Sequence, residues 1–442
     1  MNVNIEQVKQ KISKLPIEEL AKSSGFQKRK PKKIDAKSFV LGFFLQCQTG
    51  KWSLKHLAIK ISLLIGQTVS KQSVEKKLSF RHELFAKQLL EYVVNEQARD
   101  SLKIDKHIDL LSTFNKVFVQ DSTCLNLPRN VSEFYPGAHS PIGKENATAR
   151  IQLCIELLED SYQYLEVKSF RDNDQGAASD ILPLLNEGDL LLRDMGYFSL
   201  AAFEKAMNKG AHILSRLRYK VNIYDRLSKK RLDLPAILKR LERVGTQVFD
   251  KEVLVGQKAQ LKLRLVAVKA PDKITKARIA KAKKDRRSTA NHEEAYYEPR
   301  GWTIFITSVG KDIWTFKDIL KVYGFRWRIE VIFKCWKQYL GFDKLFVNKT
   351  NLSPPRVTIT IYLTLVWIII SFNKWYNFFA VKLFQNKQKF ISILKFADFV
   401  KEHFCHIISA DNLEQFIDIV EYFCAYDKRK NIQNYLQILY ES

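Results

Sequence analysis

The spacing of the hydrophobic residues divides the chain into three parts. Up to about residue 105, apolar residues recur every three or four positions, as in helices that bury one face. From about 115 to 375, short runs rich in β-branched and aromatic residues predict strands, with helical patterns between some of them. From about 376 to 442 the pattern is helical again. The prediction is an α/β fold in which helices pack on a sheet, flanked by two helical regions.

The middle part predicts antiparallel strands first and alternating strands and helices afterwards. The runs RIQLCIELLED and YQYLEVKSF predict a hairpin. The runs KVFVQDST and GDLLLRDMGYFS predict strands that end on Asp121 and Asp194. Helices are predicted from about 174 to 187 and from about 199 to 209, and AHILSRLR adds another strand.

A segment from about 219 to 300 interrupts this alternation. It contains two strand-like runs, GTQVFDKEVLV and AQLKLRLVAVKA, and then DKITKARIAKAKKDRR, with eight Lys or Arg in sixteen residues. We predict an inserted β-rich subdomain with a basic helical arm. Cations without interleaved acids repel one another unless phosphate is near, so contact with a nucleic-acid backbone is favoured over a merely solvated helix.

One pair of helices in the first hundred residues has a helix–turn–helix outline. Apolar residues recur at helical spacing from 54 to 65, Gly66 can end that helix, and Ser70 can cap a second one. Any helical bundle contains such pairs, so the second helix either reads DNA or only packs. The candidates for DNA contact are Lys71, Gln72 and Lys76.

Residues 357–372, VTITIYLTLVWIIISF, form a nearly continuous apolar run. The run has 16 residues, fewer than the roughly 20 that cross a bilayer, and it includes three threonines and a serine. A helix buried inside the protein is therefore favoured over a membrane span. The first residues, MNVNIEQVKQKISKLP, have no apolar core after their charges and do not predict a signal peptide.

Composition indicates which class of molecule binds the chain and in which compartment it works. It carries 73 Lys and Arg against 47 Asp and Glu, and this net charge of 73 − 47 = +26 favours a polyanion such as nucleic acid. Its six cysteines include no C-x-x-C pair, which argues against a zinc ribbon or a disulfide framework and for a reducing cytosol. The protein is expected in the cytoplasm.

Asp121 and Asp194 are the first candidates for chemistry. Each is predicted at the carboxyl end of a hydrophobic strand, where open α/β sheets present functional groups. Two neighbouring carboxylates repel each other unless a cation lies between them, and hard oxygen ligands select Mg²⁺ or Mn²⁺. A third acid would complete a two-metal site that cleaves a phosphodiester. Taken alone, each aspartate is more often a turn cap than a ligand.

The segment YGFRWRIEVIFKCWK, residues 323–337, offers Glu330 as the third acid. Treated as one helix at about 100° per residue, it places this acid, a phenol and three cations on a single face, whereas Arg328 points elsewhere. The residues of this face are Tyr323, Arg326, Glu330, Lys334 and Lys337. The face is either a salt-bridged surface stripe or a site where Glu330 binds metal and the cations hold phosphates.

These residues resemble a known family. The same segment contains Tyr-x2-Arg-x3-Glu-x6-Lys, the signature of bacterial DDE transposases of the insertion sequence 4 type. QDST and RDMGYFS resemble the first and second acid motifs of that family. The separations also fit, 194 − 121 = 73 positions between the aspartates and 330 − 194 = 136 from the second to Glu330, a gap that holds the β-rich insertion. The resemblance covers roughly residues 110–375.

The resemblance implies an RNase H-like catalytic core. Asp121, Asp194 and Glu330 would be the ligands of two Mg²⁺ or Mn²⁺ ions, and the protein would move a DNA element by cutting and pasting. The implied partners are the transposon ends, the target DNA and a second copy of the chain in a synaptic dimer, within a bacterial cytoplasm and associated with the nucleoid.

The resemblance also implies DNA contacts. Arg326, Lys337 and Tyr323 would hold terminal phosphates, and Lys334 is a further candidate from its place on the predicted helical face. Trp302, at the start of GWTIFITSV, matches the position of a tryptophan on which relatives stack a flipped base in a hairpin intermediate. Packing in the core is the other interpretation of Trp302.

The predicted domains are a helical DNA-binding domain at 1–105, an RNase H-like catalytic domain at 106–375 with the insertion at about 219–300, and a C-terminal helical region at 376–442. The predicted function is a transposase that binds terminal inverted repeats and catalyses strand cleavage and transfer. The alternatives are a metal-dependent DNA endonuclease on the same core and a non-catalytic DNA-binding repressor derived from a transposase.

Overall fold

The computed structural model describes residues 15–29, 33–50, 52–99, 109–138, 146–218, 220–284, 298–410 and 412–426. The described strands are β1 Val117–Leu127, β2 Ala147–Glu156, β3 Ser161–Ser169, β4 Leu190–Arg193, β5 His212–Arg216, β6 Ile223–Asp225, β7 Val248–Val255, β8 Leu261–Lys269 and β9 Trp302–Thr307. The described helices before residue 300 are α1 Ile17–Ser23, α2 Ala36–Thr49, α3 Leu54–Ile65, α4 Lys71–Glu75, α5 Phe80–Arg99, α6 Leu200–Asn208, α7 Leu234–Arg243 and α8 Asp272–Lys284. The later helices are α9 Phe316–Gly324, α10 Trp327–Lys334, α11 Pro354–Trp367, α12 Lys374–Lys387, α13 Ile393–Ser409 and α14 Ile417–Cys424.

The chain is divided into two units by its internal contacts. The first unit takes its described residues from Met1–Lys106, Ser122–Asp172 and Trp327–Glu441. The second takes its described residues from His107–Asp121 and Asn173–Arg326. The β1 strand contributes its first residues to the second unit and its remaining residues to the first.

The second unit contains a mixed sheet. Its strands follow the order β1-β4-β5-β9-β8-β7-β6. The β1, β4 and β5 strands are parallel, and the pairs from β5 to β6 are antiparallel. Helix α6 connects β4 to β5, as expected for parallel neighbours. The predicted α/β class is confirmed, and the strands predicted between 219 and 300 continue this sheet by pairing with β9.

The pairing of β1 with β4 covers four residues of each strand. It runs from Val117 opposite Leu190 to Gln120 opposite Arg193, and all of these side chains are buried. The β1 strand then continues to Leu127, so the prediction that it ends on Asp121 is wrong. Alternating burial beyond Asp121 sustains the extended backbone, because every second side chain still faces a core.

The helix predicted from 174 to 187 is also wrong. Two 3₁₀ turns, Gly176–Ser179 and Leu182–Leu184, occupy this stretch. Asn173 accepts a hydrogen bond from the backbone N–H of Gly176 at 2.8 Å, and Pro183 cannot donate a backbone hydrogen bond. The local turn chemistry outweighed the apolar spacing. The helix predicted at 199–209 is confirmed as α6.

The helix–turn–helix outline in the first unit is confirmed in its local geometry. Helix α3 ends at Gly66, whose φ of 67° suits a residue without a side chain, and the Ser70 hydroxyl accepts the backbone N–H of Ser73 at 3.2 Å. Helix α4 is short, and the side chain of its Val74 is buried. The candidates for DNA contact, Lys71, Gln72 and Lys76, are exposed, and their role stays a prediction.

The apolar run at 357–372 lies in helix α11 and the π-helical turn after it. Among the described residues, Pro354–Lys387 is long and apolar enough to cross a membrane, yet 82% of its most apolar window is buried inside the protein. Such burial is typical of a core helix, and the predicted buried helix is confirmed. Thr358 of α11 is hydrogen-bonded to the hydroxyl of Tyr135 at 2.9 Å.

Arg264 ties the sheet of the second unit to the loop that leads into α9. Its side chain is 4% exposed, bonds both carboxylate oxygens of Asp250, and donates to the carbonyls of Gly310 at 3.0 Å and Trp314 at 2.7 Å. Replacing Arg264 with Ala leaves these acceptors without their donor, so we expect the free energy of unfolding to fall by about 3–5 kcal/mol. Urea denaturation followed by circular dichroism measures this loss.

Arg226 provides the matched control. It pairs with Glu252 in the same unit, but the two side chains are 47% and 58% exposed. Because solvent screens such a pair, Arg226→Ala should lower the free energy of unfolding by less than about 1 kcal/mol. Equal losses for the two variants would contradict the structural role of Arg264.

Candidate active site

Asp121 and Asp194 come directly after two residues that pair with each other across the parallel strands β1 and β4. Gln120 of β1 lies opposite Arg193 of β4, so the next residues are the two aspartates. Neighbouring strands are about 4.8 Å apart, and the carboxyl ends of parallel strands lie at the same edge. The structure therefore places the two predicted acids side by side, although β1 itself continues past this point.

Each carboxylate has a partner from the end of α9 and the turn after it. The Tyr323 hydroxyl donates to Oδ1 of Asp194 at 3.0 Å. The Arg326 guanidinium donates to Oδ2 of Asp121 at 3.0 Å, and it lies 5.6 Å from the centre of the Tyr323 ring. The side chains of Arg326 and Asp121 are 13% and 21% exposed, so solvent screens their attraction only in part. These four residues form one connected cluster, which we call the aspartate cluster.

Tyr323 stays protonated in this cluster. Burial, and next to it the negative charge of Asp194, raises the pKa of the phenol well above its ordinary value. The hydroxyl therefore remains a donor to the Asp194 carboxylate through the whole neutral pH range.

The segment 323–337 is not one continuous helix. Helix α9 ends at Gly324, α10 begins at Trp327, and a π-helical segment, Cys335–Tyr339, follows α10. The prediction of one continuous helix for this segment is therefore wrong, and the shared face of its five residues stays a prediction. Gly324 weakens the helix, and the turn places Phe325 in the core, 1% exposed, with Arg326 against Asp121.

The later residues of the predicted face belong to the first unit. Glu330 lies in the first turn of α10 and is half-buried, whereas Lys334 is exposed. Lys337 is half-buried, and this burial lowers the pKa of its ammonium group. Arg328 points elsewhere, as expected: it is 3% exposed, and its Nε donates to Asp160 at 3.0 Å. The roles of Glu330, Lys334 and Lys337 stay predictions.

A cavity of about 1080 Å³ in the second unit is strongly cationic. Its lining includes one acid, Asp233, and the following Arg and Lys residues: Arg216, Arg218, Lys220, Arg231, Arg278, Lys281 and Arg300. Burial, and then the charge of Arg216, lowers the pKa of Arg278. Met195, which directly follows Asp194, also lines the cavity and connects it to the aspartate cluster.

Most of these cavity cations were not predicted individually. Arg278 and Lys281 belong to the basic arm, now seen as α8 as far as Lys284. Arg216 ends β5, the parallel neighbour of β4, so the rule that found the aspartates could also have found it. The remaining cations come together only through the fold.

Trp302 begins β9 and forms part of the cavity wall. The side chain is 2% exposed, and its buried Nε1–H has no hydrogen-bond partner among the residues that the structure describes. The Lys269 ammonium lies 5.7 Å from the centre of its ring, and Arg278 donates to its backbone carbonyl at 3.2 Å. Trp302 is thus packed and also borders cationic space, so both interpretations of it stay open.

The aspartate cluster suits a hard divalent cation. Its donors are carboxylate oxygens on adjacent strands, the ligand type that Mg²⁺ and Mn²⁺ prefer. Both acids already have a positive or hydrogen-bonding partner. In the described part of the chain, no three His, Cys, Asp or Glu side chains are grouped closely enough to hold a metal ion. Asp121 and Asp194 can therefore supply two ligands of a metal site, and Glu330 as the third ligand stays a prediction.

Comparison with known families identifies the family of the chain. Residues 112–353 match the family model described as a transposase DDE domain, which is 353 − 112 + 1 = 242 of the 442 residues. The chain therefore belongs to the DDE transposase family, and it is a DDE transposase enzyme.

Individual relatives support the same family. The chain is 24% identical over 414 residues to the transposase for insertion sequence element IS231F of Bacillus thuringiensis subsp. israelensis. The matched region covers 90% of this chain and 85% of the relative. The chain is 25% identical over 405 residues to the IS231B transposase of subsp. berliner, with 88% and 82% covered. It is 24% identical over 373 residues to the IS1151 transposase of Clostridium perfringens, with 80% and 76% covered.

A double-mutant cycle tests the bond between Asp121 and Arg326. Asp121→Ala, Arg326→Ala and the double variant are compared by denaturation in EDTA, without DNA. We expect a coupling free energy of about 1–3 kcal/mol, because the bond is charge-assisted and partly buried. The same cycle on Arg226 and Glu252 should give less than about 1 kcal/mol. A coupling near zero for Asp121 and Arg326 would show that the bond does not stabilise the cluster.

Proposed function

We propose that this enzyme is a transposase of the insertion sequence 4 type. It binds the terminal inverted repeats of an insertion sequence and catalyses Mg²⁺-dependent strand cleavage and strand transfer. The observation that carries the proposal is the aspartate cluster, in which two acids on adjacent parallel strands are bonded to the tyrosine and arginine of one short motif. The relatives that are named as insertion-sequence transposases support it.

In this proposal Asp121, Asp194 and Glu330 hold Mg²⁺ or Mn²⁺ in an RNase H-like core. Two bound ions would activate a water or a 3′-hydroxyl and would stabilise the leaving oxygen of the phosphodiester. The aspartates are fixed by their strands, so the chain orients the ligands before DNA arrives. Glu330 follows four positions after Arg326, and it supplies the carboxylate that the two aspartates lack.

The basic partners of these acids would hold the DNA. Arg326 lies against Asp121, so its guanidinium is within side-chain reach of a phosphate bound beside that acid. The Tyr323 hydroxyl, kept protonated, can donate to a phosphate oxygen as it does to Asp194. Lys334 and Lys337 would add phosphate contacts on the other side of Glu330 in the chain. Such contacts position the strand without reading its sequence.

The cationic cavity and the helix–turn–helix would contribute the rest of the DNA surface. The cavity collects cations from several elements around Trp302, and it continues into the basic helix α8. The exposed residues of α4 would contact the inverted repeat from the N-terminal domain, proposed at 1–105. Two copies of the chain would bring two DNA ends together in a synaptic dimer, associated with the bacterial nucleoid.

The acidic residues give the direct test. Asp121→Asn, Asp194→Asn and Glu330→Gln should each reduce nicking of DNA that carries the flanking repeats by at least about 100-fold. Changing a residue that only supports a metal ligand typically lowers activity about 10–100-fold, and loss of the ligand itself should lower it at least as much. Binding to the same DNA should stay largely intact, because the phosphate contacts remain. Gel assays with Mg²⁺ measure nicks, hairpins and joined products, and gel shifts measure binding.

The outcome of that assay also separates the alternatives. Asp318→Asn is a suitable control, since Asp318 caps α9 and contacts Thr315. Near-normal nicking by one of the three acidic variants would remove that residue from the site. Hydrolysis without any joined product in the unchanged protein would favour the endonuclease, and binding without cleavage would favour the repressor.

Trp302 has a separate test. In the proposal its ring receives a base turned out of the terminal duplex, a contact worth roughly 1–3 kcal/mol. Trp302→Ala should therefore slow hairpin formation about 5- to 150-fold, using the factor of ten per 1.4 kcal/mol, and should spare the first nick. An abasic nucleotide near the end should partly restore the hairpin, because extrusion then costs less. Equal loss of both steps, with a lower melting temperature, would assign Trp302 to packing alone.

A further inference from the structure

Gln120 and Arg193 form a buried polar pair directly before the two aspartates. They lie opposite each other in the register of β1 and β4, and both side chains are 0% exposed. The Arg193 Nη2 donates to Oε1 of Gln120 at 2.7 Å. An arginine inside a sheet is costly to bury, so its position calls for a physical reason.

The pair also fixes the turn that packs beside these strands. Gln120 Nε2 donates to the carbonyl of Ala177 at 3.2 Å, and Arg193 Nη2 donates to the carbonyl of Ala178. Both carbonyls belong to the 3₁₀ turn Gly176–Ser179. The Arg193 guanidinium also lies 5.9 Å from the ring of Tyr197, the last residue of the turn that follows Asp194. One side-chain pair therefore connects both strands to the two turns around the acids.

We infer that Gln120 and Arg193 are positioning residues, which fix the spacing of the Asp121 and Asp194 carboxylates and thereby set the affinity of the site for a divalent cation. A sheet ladder alone restrains the backbones of the two strands, whereas the side-chain bond also resists sliding of one strand along the other. The inference rests on the proposed function, because it assumes that these acids bind metal.

The pair is distinct from the machinery that touches DNA. Both residues are fully buried, so neither can contact a phosphate or a base. Their effect on the reaction must pass through the aspartates. A merely structural pair would instead be replaceable by apolar side chains of similar shape, since removing both partners of a buried polar interaction is often nearly neutral for stability.

This difference defines the experiment. The full chain is compared with Arg193→Met, with Gln120→Leu and with the double variant that combines them. Mn²⁺ binding without DNA is measured from the loss of the free-ion signal in electron paramagnetic resonance, and melting temperature is measured on the same samples. Asp121→Asn marks the binding that belongs to the aspartates. Thr307→Val serves as the stability control, because it removes two buried hydrogen bonds of the same sheet: the Thr307 hydroxyl donates to the Ile213 carbonyl at 2.7 Å and accepts from the Val309 backbone N–H at 3.1 Å.

We expect each single variant to lower the melting temperature, because one polar partner stays buried and loses its bond. The double variant should recover part of that temperature, because neither side chain is then left without its partner, although the carbonyls of Ala177 and Ala178 still lose their donors. Its aspartate-dependent Mn²⁺ affinity should nevertheless stay about 10–100-fold weaker than in the unchanged chain, the range typical of outer-shell partners. Thr307→Val should lose stability without losing Mn²⁺ affinity. Arg193→Lys, which keeps the buried charge, should lose less affinity than Arg193→Met and supplies the comparison if the double variant does not fold.

Three other results would overturn the inference. If the double variant, or Arg193→Met where the double does not fold, binds Mn²⁺ as tightly as the unchanged chain, the pair is structural and the proposed function stands. If Thr307→Val weakens Mn²⁺ binding equally, the effect belongs to general stability. If the unchanged chain shows no Mn²⁺ binding that Asp121→Asn removes, the proposed metal site itself fails, and the positioning role fails with it.

Discussion

The parallel pairing of β1 and β4 is the constraint on which the site depends. Four residues of each strand are buried and matched, and the register ends with Gln120 opposite Arg193. Both faces of this strand pair are buried, so burial alone does not fix its register, and the side-chain bond from Arg193 to Gln120 lies at the last matched pair. The two aspartates inherit their proximity from that register. Their mutual repulsion is the cost of the arrangement, and the neighbouring cation and phenol offset it.

Several cations of this basic chain lie near these acids. Arg326 and Tyr323 bond to the carboxylates, and the cationic cavity reaches the same strand edge through Met195 and Arg216. In water such a density of cations would repel itself, and the pKa of Arg278 is lowered by its burial and then by the charge of Arg216. A bound polyanion would offset the repulsion between these cations. The cavity is therefore suited to a phosphate backbone, in keeping with the family to which the chain belongs.

The motif that links acids and cations is divided by a break in the helix. Tyr323 and Arg326 end the second unit, while α10, with Glu330, begins the contribution of the C-terminal part to the first unit. A continuous helix would give one stripe of side chains. The turn after Gly324 instead lets Phe325 enter the core while Arg326 bonds to Asp121, so one short segment serves both units.

Local sequence was sufficient for the class of fold, most of the strands, the caps of α3 and α4, the buried α11 and the two aspartates at one sheet edge. These features depend on spacing and turn chemistry, which are local properties. The end of β1 and the break after Gly324 were predicted wrongly, because burial and hydrogen bonds from distant residues decided them. The 3₁₀ turns at 176–184 were missed because the local turn chemistry of Asn173 and Pro183 outweighed the apolar spacing. The bond between Gln120 and Arg193, and the gathering of cations around Trp302, appear in no local pattern. Only the tertiary structure decided them, because their partners lie tens of residues away and meet solely through the register of the sheet.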